Sequence, residues 1–281
     1  MTSQQDIADF MQELQGYAGN MTHVRLACQR RIEDLYDCYA DNTVHATMTD
    51  YRNAIRRKIT EGVFTGDYLK AFVKPEDKAH ARRQTTAQRL NEDLSNRREI
   101  DEDVANKVIG IAENLLRTDS YIDITLGLMI LTGRRPIEIL KTATFSKVEE
   151  PYHVCFEGQA KTRGREDGDK PYNIPVLSNV DFIMQALERV RNLRDFSEVE
   201  NKQVHNTVSK TLNEKFKRIY GKLLPQCKPT HVRSMYALIC YQTFSNQRRS
   251  FDSYAASILG HKPNDTFTAQ HYDDFFSIDN N

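Results

Sequence analysis

Three short stretches of this 281-residue chain place arginines, a histidine and a tyrosine where they could handle a phosphate group. The first is L-T-G-R-R-P-I-E-I-L, Leu131 to Leu140. Gly133 can end a preceding helix and Pro136 suits the first position of the next, so Arg135 falls at a helix N-terminus. Unpaired backbone N–H groups and the positive end of the helix dipole favour an anion there, and an arginine fork adds two directed donors. The bland alternative is an Arg135 that pairs with Glu138 one turn on.

The second stretch is K-P-T-H-V-R-S-M-Y-A, Lys228 to Ala237. Thr230 is a candidate N-cap, and Val232, Met235, Tyr236, Ile239, Cys240 and Thr243 form a buried stripe at helical spacing. Arg233 lies beside that stripe in the first turn. A charge so placed either snorkels to solvent or meets an anion, and with Lys228 and His231 nearby the anion reads as a ligand. A solvated basic helix start is the alternative. The third stretch is L-G-H followed at short range by H-Y, Leu259 to Tyr272. Gly260 can cap one helix and Asp265 the next, and the turn between them brings His261 toward Tyr272. Either residue alone could be an ordinary packed side chain.

The elements that must position these residues follow from periodicity. Residues 4 to 40 carry apolar positions at helical spacing, including Ile7, Phe10, Met11, Leu14 and Tyr17, then Leu26 and Leu35. Arg52 to Thr60 and Asp67 to Val73 read as short helices, with Gly62 and Gly66 as breaks and Pro75 as the start of another. Lys78 to Glu99 is an exposed, charge-dense helix leading into a linker near Ser95 to Asp101. A new core begins with the stripe Val104, Val108, Ile111 and Leu115 and a buried helix from Tyr121 to Leu131. Tyr152, Val154 and Phe156 alternate as a half-buried strand does, and Tyr172 to Leu177 is a second strand. The charged, glycine-containing T-R-G-R-E-D-G-D-K between them is a hairpin loop. Helical spacing returns in Phe182 to Arg194, Val204 to Tyr220, His231 to Phe244 and Tyr254 to Leu259. The expected architecture is mainly α with a small antiparallel β-sheet: a helical N-terminal domain, residues 1–98, and a larger domain, residues 99–281.

Lysine plus arginine and aspartate plus glutamate each number 39, so any basic surface must be local. Between Arg52 and Arg98 there are 12 basic against 6 acidic residues, the stretch expected to face phosphates, with a solvated helix face as the alternative. The five cysteines (Cys28, Cys38, Cys155, Cys227 and Cys240) show no metal-ligand spacing, and their odd number argues against a disulfide framework. No apolar run is long enough to span a bilayer, and Met1 to Ala8 lacks signal-peptide character. A cytoplasmic protein without a membrane partner is expected.

In this order, with a basic hairpin between the first two, the three motifs resemble the catalytic domain of tyrosine recombinases. That domain has a T-G-x-R-x-x-E box, a hairpin lysine, a second arginine box, L-G-H and a late tyrosine. T-G-R-R-P-x-E-I at the first box, G-Q-A-K-T-R in the hairpin and R-x-x-Y-A at the second arginine look more like the protelomerases, also called telomere resolvases, than like ordinary integrases. The resemblance runs from about Val104 to Phe276. It implies that Arg135, Lys161, Arg233 and His261 hold and activate a phosphodiester and that Tyr272 attacks it, with Arg134 the second choice for the first arginine. Integrases have a histidine three residues before the second arginine; here that residue is Thr230, and His231 and Lys228 are the candidates for its place. The spacing from His261 to Tyr272 is slightly longer than the family pattern. Tyr254 is the nearest upstream rival, but its neighbours make it a core residue.

The residue types suit the implied chemistry. A tyrosine nucleophile stores the bond energy in a 3′-phosphotyrosine, because the phenolate can leave again when the strand is rejoined. Two arginines neutralise the non-bridging oxygens, Lys161 protonates the departing 5′-oxygen, and His261 orients the phosphate and accepts the tyrosine proton. The resemblance implies a reaction without metal or other cofactor on double-stranded DNA, at a palindromic site and by a homodimer. Arg56, Arg57, Arg82, Arg83, Arg134 and Arg163 are the expected DNA contacts, with the region from Arg52 to Arg98 expected to grip the duplex from the side opposite the catalytic domain and the linker near Ser95 to Asp101 to complete a clamp. Strand exchange by a conventional integrase, and a DNA-binding protein that keeps the fold without cutting, are the two alternatives.

Overall fold

The computed structural model describes residues 4–95, 97–160, 170–245, 249–260 and 275–276. The chain divides into two compact units, Met1–Gln88 and Arg89–Asn281. Among the described residues no helix is long and apolar enough to cross a membrane.

The first unit is helical: α1 (Gln4–Gly16), α2 (Met21–Cys38), α3 (Asp41–Thr60), α4 (Gly66–Ala71) and most of α5 (Glu76–Ser95). Helix α3 begins eleven residues before the expected Arg52, because Val44, Met48, Tyr51 and Ile55 continue one buried stripe along it. Phe10, Tyr51 and Phe72 are buried together, and the Phe10 and Tyr51 rings meet edge-on at 5.4 Å. The guanidinium of Arg52 donates to the carbonyls of Leu69 and Phe72, so one of the counted cations ties α4 to α3.

In the second unit α7 (Tyr121–Thr132) is the central helix, with α6 (Glu102–Leu116), α8 (Val180–Leu193), α9 (Asn201–Tyr220) and α10 (Val232–Phe244) packed against it. It has no polar face: every residue from Ile122 to Thr132 is buried, as a helix surrounded on all sides requires. Each fully buried leucine or isoleucine in it contributes about 1.5–3 kcal/mol. The sheet has three antiparallel strands rather than the expected two, in the order β2 (Thr144–Lys147), β3 (His153–Glu157), β4 (Tyr172–Pro175). Val154 and Phe156 point into the core as expected. Tyr152 does not: it sits in the preceding turn with φ 58° and is 55% exposed. The supposed linker also holds structure, since β1 (Arg98–Glu99) pairs in parallel with β5 (Phe275–Phe276) and Ile100 N–H donates to Phe276 O at 2.9 Å. Helix α11 (Phe251–Leu259) completes the unit.

Candidate active site

The first arginine box is built on a helix end. Gly133 ends α7 in the left-handed region with φ 65°, and a Cβ there would lie 2.2 Å from the ring of Tyr236, so only glycine fits. Arg135, Pro136 and Glu138 then form a helix start. Pro136 occupies the first turn, and the Glu138 carboxylate reaches back to the Arg135 backbone N–H at 2.8 Å, the return half of a capping box. That is the physical reason for a glutamate three residues after the arginine. The turn runs on as a π-helix, Glu138–Thr142, held from α8 by Arg191, which donates to Glu138 O at 3.2 Å, Ile139 O at 3.0 Å and, just past its end, Ala143 O at 2.7 Å.

Glu138 organises the site. Its carboxylate is fully buried and also accepts from Arg135 Nη1 at 2.6 Å and from Ala160 N–H at 3.2 Å, with Arg233 Nη1 at 3.9 Å. Burial pushes its carboxyl up, but Arg134, Arg233, Arg135 and the Arg135 amide outweigh that and hold it below the usual carboxylate range. The pairing of Arg135 with Glu138 that counted as the bland alternative is therefore present. It coexists with the site, because the same carboxylate gathers the second arginine and the backbone of Ala160, the residue before Lys161 in sequence.

Arg134 is corrected to a core residue. It is 1% exposed, its guanidinium lies 4.7 Å from the Phe156 ring centroid, and its donors go to Thr132 O, Tyr172 Oη and Ile258 O at 3.1, 2.9 and 2.7 Å. Binding DNA through it would require breaking all of these. The second box also starts differently from expectation: Thr230 is no N-cap, since a 3₁₀ turn, Pro229–His231, precedes α10 and Thr230 is exposed. Arg233 does lie in the first turn of α10, donating to Gly133 O at 2.7 Å and Leu259 O at 3.2 Å. His231 is half-buried, with Nδ1 accepting from Lys228 N–H at 3.3 Å and its ring edge-on to Phe275 at 6.5 Å, whereas the Lys228 side chain is exposed. Gly260 caps α11 in the left-handed region as expected. Tyr254 donates to Cys240 O at 3.2 Å and packs edge-on against Tyr241, and burial raises its hydroxyl pKa, all of which suits a core tyrosine.

Arg135 and Arg233 are thus brought together on one carboxylate. Lys161, Arg163, His261 and Tyr272 lie outside the described residues. In the first unit Arg56 and Arg57 are exposed on α3, where Arg56 bonds Asn53 at 2.8 Å, and Arg82 is exposed on α5; the Arg83 side chain is outside the description. Several neighbouring cations are matched by carboxylates: Lys58 with Glu61, Lys70 with Asp67, Lys78 with Asp41.

Sequence reasoning passed over a stronger basic run. From Lys202 to Arg233 there are 8 Lys or Arg against one carboxylate, Glu214. The structure puts Val204, Val208, Leu212, Phe216 and Tyr220 of α9 inside and leaves Lys202, Lys210 and Lys217 exposed. The inward Lys215 is matched by Asp123 of α7 at 2.6 Å, and Lys210 lies 4.0 Å from Glu214 one turn on. It also passed over Gln159, a buried amide whose position before the hairpin lysine carries no pattern of its own.

The model of the family described as "Telomere resolvase ResT/TelK catalytic domain" matches residues 96–275. Telomere resolvase ResT of Borreliella burgdorferi is 24% identical over 147 residues, 52% of this chain and 32% of that protein, so the aligned part spans about a third of the relative's length. Among solved structures, protelomerase TelA covalently complexed with substrate DNA superposes with a TM-score of 0.85 at 24% identity, covering 96% of this chain and 87% of that one. Protelomerase TelK complexed with substrate DNA gives a TM-score of 0.66 at 21% identity, covering 96% of this chain and 60% of that one.

Proposed function

The chain belongs to the telomere resolvase ResT/TelK catalytic-domain family, and on that premise we propose that it cleaves and reseals double-stranded DNA, turning palindromic sites into hairpin ends. The observation that carries this reading is the meeting of Arg135 and Arg233, nearly a hundred residues apart in sequence, on the buried carboxylate of Glu138. A buried anion between two guanidiniums fixes their forks before substrate arrives, so little reorganisation remains when charge builds on the phosphate. The bound DNA in the TelA and TelK structures supports a DNA partner for this chain as well.

In this scheme the Tyr272 oxygen attacks phosphorus, the bond to the 5′-oxygen breaks, and Lys161 gives that oxygen its proton while the tyrosine proton passes to His261. The resulting 3′-phosphotyrosine is then attacked by the 5′-hydroxyl of the opposite strand. That forms the hairpin phosphodiester while Lys161 takes up the hydroxyl proton and His261 gives its proton back to the departing phenolate, so bonds and protons balance without ATP. Of the two candidates for the place before Arg233, the half-buried His231 suits it better than the exposed Lys228. Two protomers acting on one palindrome supply the paired cuts. Two basic surfaces hold the duplex through phosphates without reading bases: the stripe Lys202, Lys210 and Lys217 of α9, and Arg56, Arg57, Arg82 and Arg83 of the N-terminal region, residues 1–98.

The test is incubation with a library of inverted-repeat duplexes whose symmetric arms are randomised, followed by denaturing gels and peptide mapping of covalent adducts. Hairpin products and an adduct on Tyr272 are expected. Tyr272→Phe should abolish both and bind DNA almost as the parent does. Adduct formation by that variant would remove Tyr272 from its role, and recombined linear products would replace hairpin closure with strand exchange.

A further inference from the structure

The end of α11 is fastened in a way the reaction scheme above does not use. Its three terminal carbonyls are each taken by a donor from a different part of the unit. Arg134 Nη2 donates to Ile258 O at 2.7 Å, Arg233 Nη2 to Leu259 O at 3.2 Å, and Gln159 Nε2 to Gly260 O at 3.1 Å. Carbonyls at a helix C-terminus lack intrahelical partners and carry the negative end of the dipole, so two guanidiniums and an amide are well matched to them.

Gln159 is itself held at its other end. Its Oε1 accepts from Tyr172 Oη at 3.0 Å, and that hydroxyl accepts from Arg134 Nη1 at 2.9 Å. The chain Arg134, Tyr172, Gln159, Gly260 is closed tightly: a Cβ on Gly260 would lie 2.1 Å from Gln159 Oε1 and 2.3 Å from Tyr172 Oη. Gln159 also sits two residues before Lys161, yet the hairpin stem has a separate tether, the bond from Ala160 N–H to Glu138. Losing the Gln159 side chain therefore releases the Gly260 carbonyl and leaves the hairpin stem attached at Ala160.

We propose that Gln159 is a positioning residue which, by gripping the Gly260 carbonyl, fixes the end of α11, the element after which His261 follows in sequence. The proposal rests on the reading of His261 as part of the reacting site. A displacement of about 1 Å at a reacting centre costs up to about a hundredfold in rate. Gln159→Leu removes both polar ends at similar volume and falls in that range.

The experiment is a double-mutant cycle on single-turnover cleavage by the full chain. The substrate is the inverted-repeat duplex from the randomised library that the parent cleaves fastest. Parent, Gln159→Leu, His261→Ala and the double variant are compared, with DNA affinity and melting midpoint measured for each. Gln159→Leu should lose about tenfold to a hundredfold in rate at near-parental affinity, and the double variant should be no slower than His261→Ala, because the positioned group is already gone. Losses that multiply would overturn the proposal and leave the role of His261 standing. A parental rate in His261→Ala would overturn the reading of His261 and the proposal with it. Should Gln159→Leu not fold, Tyr172→Phe carries the same test: it deletes only the hydroxyl between Arg134 and Gln159, and its rate loss must vanish in the His261→Ala background.

Discussion

Replacing Glu138 with Gln removes one negative charge and almost no volume from the centre of the site. In the parent this fully buried carboxylate accepts from Arg135 N–H, Arg135 Nη1 and Ala160 N–H at 2.8, 2.6 and 3.2 Å, with Arg233 Nη1 at 3.9 Å. An amide offers one acceptor oxygen and turns two donors toward groups that are themselves donors. Removing one partner of a buried ion pair costs about 3–5 kcal/mol. At about 2–4 °C per kcal/mol for a unit of this size, the melting midpoint should fall by roughly 6–20 °C.

The pH dependence gives that number a signature. The Glu138 carboxyl is held below its usual range in the folded chain, so its contribution is complete above the unfolded value of about 4.3 and is lost as pH falls through the depressed folded value. The gap between parent and Glu138→Gln should be full at neutral pH and narrow in acid, where the protonated acid resembles the amide. Saturating duplex DNA should also narrow it, because a bound phosphate restores negative charge between the arginines. Melting of both proteins across pH, with and without duplex, reads all three effects. Equal midpoints at neutral pH would refute the view that this carboxylate holds the two arginines in place.

Arg135→Ala and Arg233→Ala should each raise the cleavage barrier by about 3–4 kcal/mol while weakening DNA binding much less; single-turnover rates beside binding curves check this, and equal losses in both would make the arginines plain phosphate ligands. Lys161→Ala should recover its rate on a substrate with a 5′-bridging sulfur, which leaves without a proton, and failure to recover would confine Lys161 to binding. Replacing Lys202, Lys210 and Lys217 with Ala should flatten the dependence of affinity on salt by about 0.9 in slope for each phosphate no longer neutralised. The same measurement on Arg56, Arg57, Arg82 and Arg83 together tests the first unit, and an unchanged slope in either set marks those charges as a solvated face.

What was legible in the sequence was whatever a repeating pattern or a fixed conformation announces. Helix α7 could be read because eleven successive positions are buried, and Gly133 and Gly260 could be placed because helix ends want a left-handed residue. Strand β2 could not, since T-F-S-K buries only Phe145 and is a strand by virtue of its pairing with β3. Nor could β1, two charged residues that become a strand only against Phe275 and Phe276 from the far end of the chain. The basic run on α9 was visible as a count, yet counting cannot tell which lysines are matched, and Asp123 facing Lys215 is a fact of packing. Gln159 was illegible for the same reason: its partners Tyr172 and Gly260 are 13 and 101 residues away.

The adjacent arginines at 134 and 135 show most directly why residue type underdetermines role. Both follow the left-handed turn at Gly133, and in sequence either could have been the phosphate ligand. After that turn the first side chain lies in the core and the second stands at the start of the next helix, partly exposed. Arg134 then meets a ring, a hydroxyl and two carbonyls, so its desolvated charge is spread over fixed dipoles, and Glu138 acts on it through space rather than by a direct bond among the described residues. Arg135 meets Glu138, a carboxylate that also lies near Arg233. A cation whose counter-charge is shared among several cations can accept a second anion at lower cost than one whose partner serves it alone, since the local charge stays positive after the carboxylate is counted. The box therefore needs both arginines: one fixes the end of α11, and the other is left, beside Arg233, with positive charge to offer a phosphate.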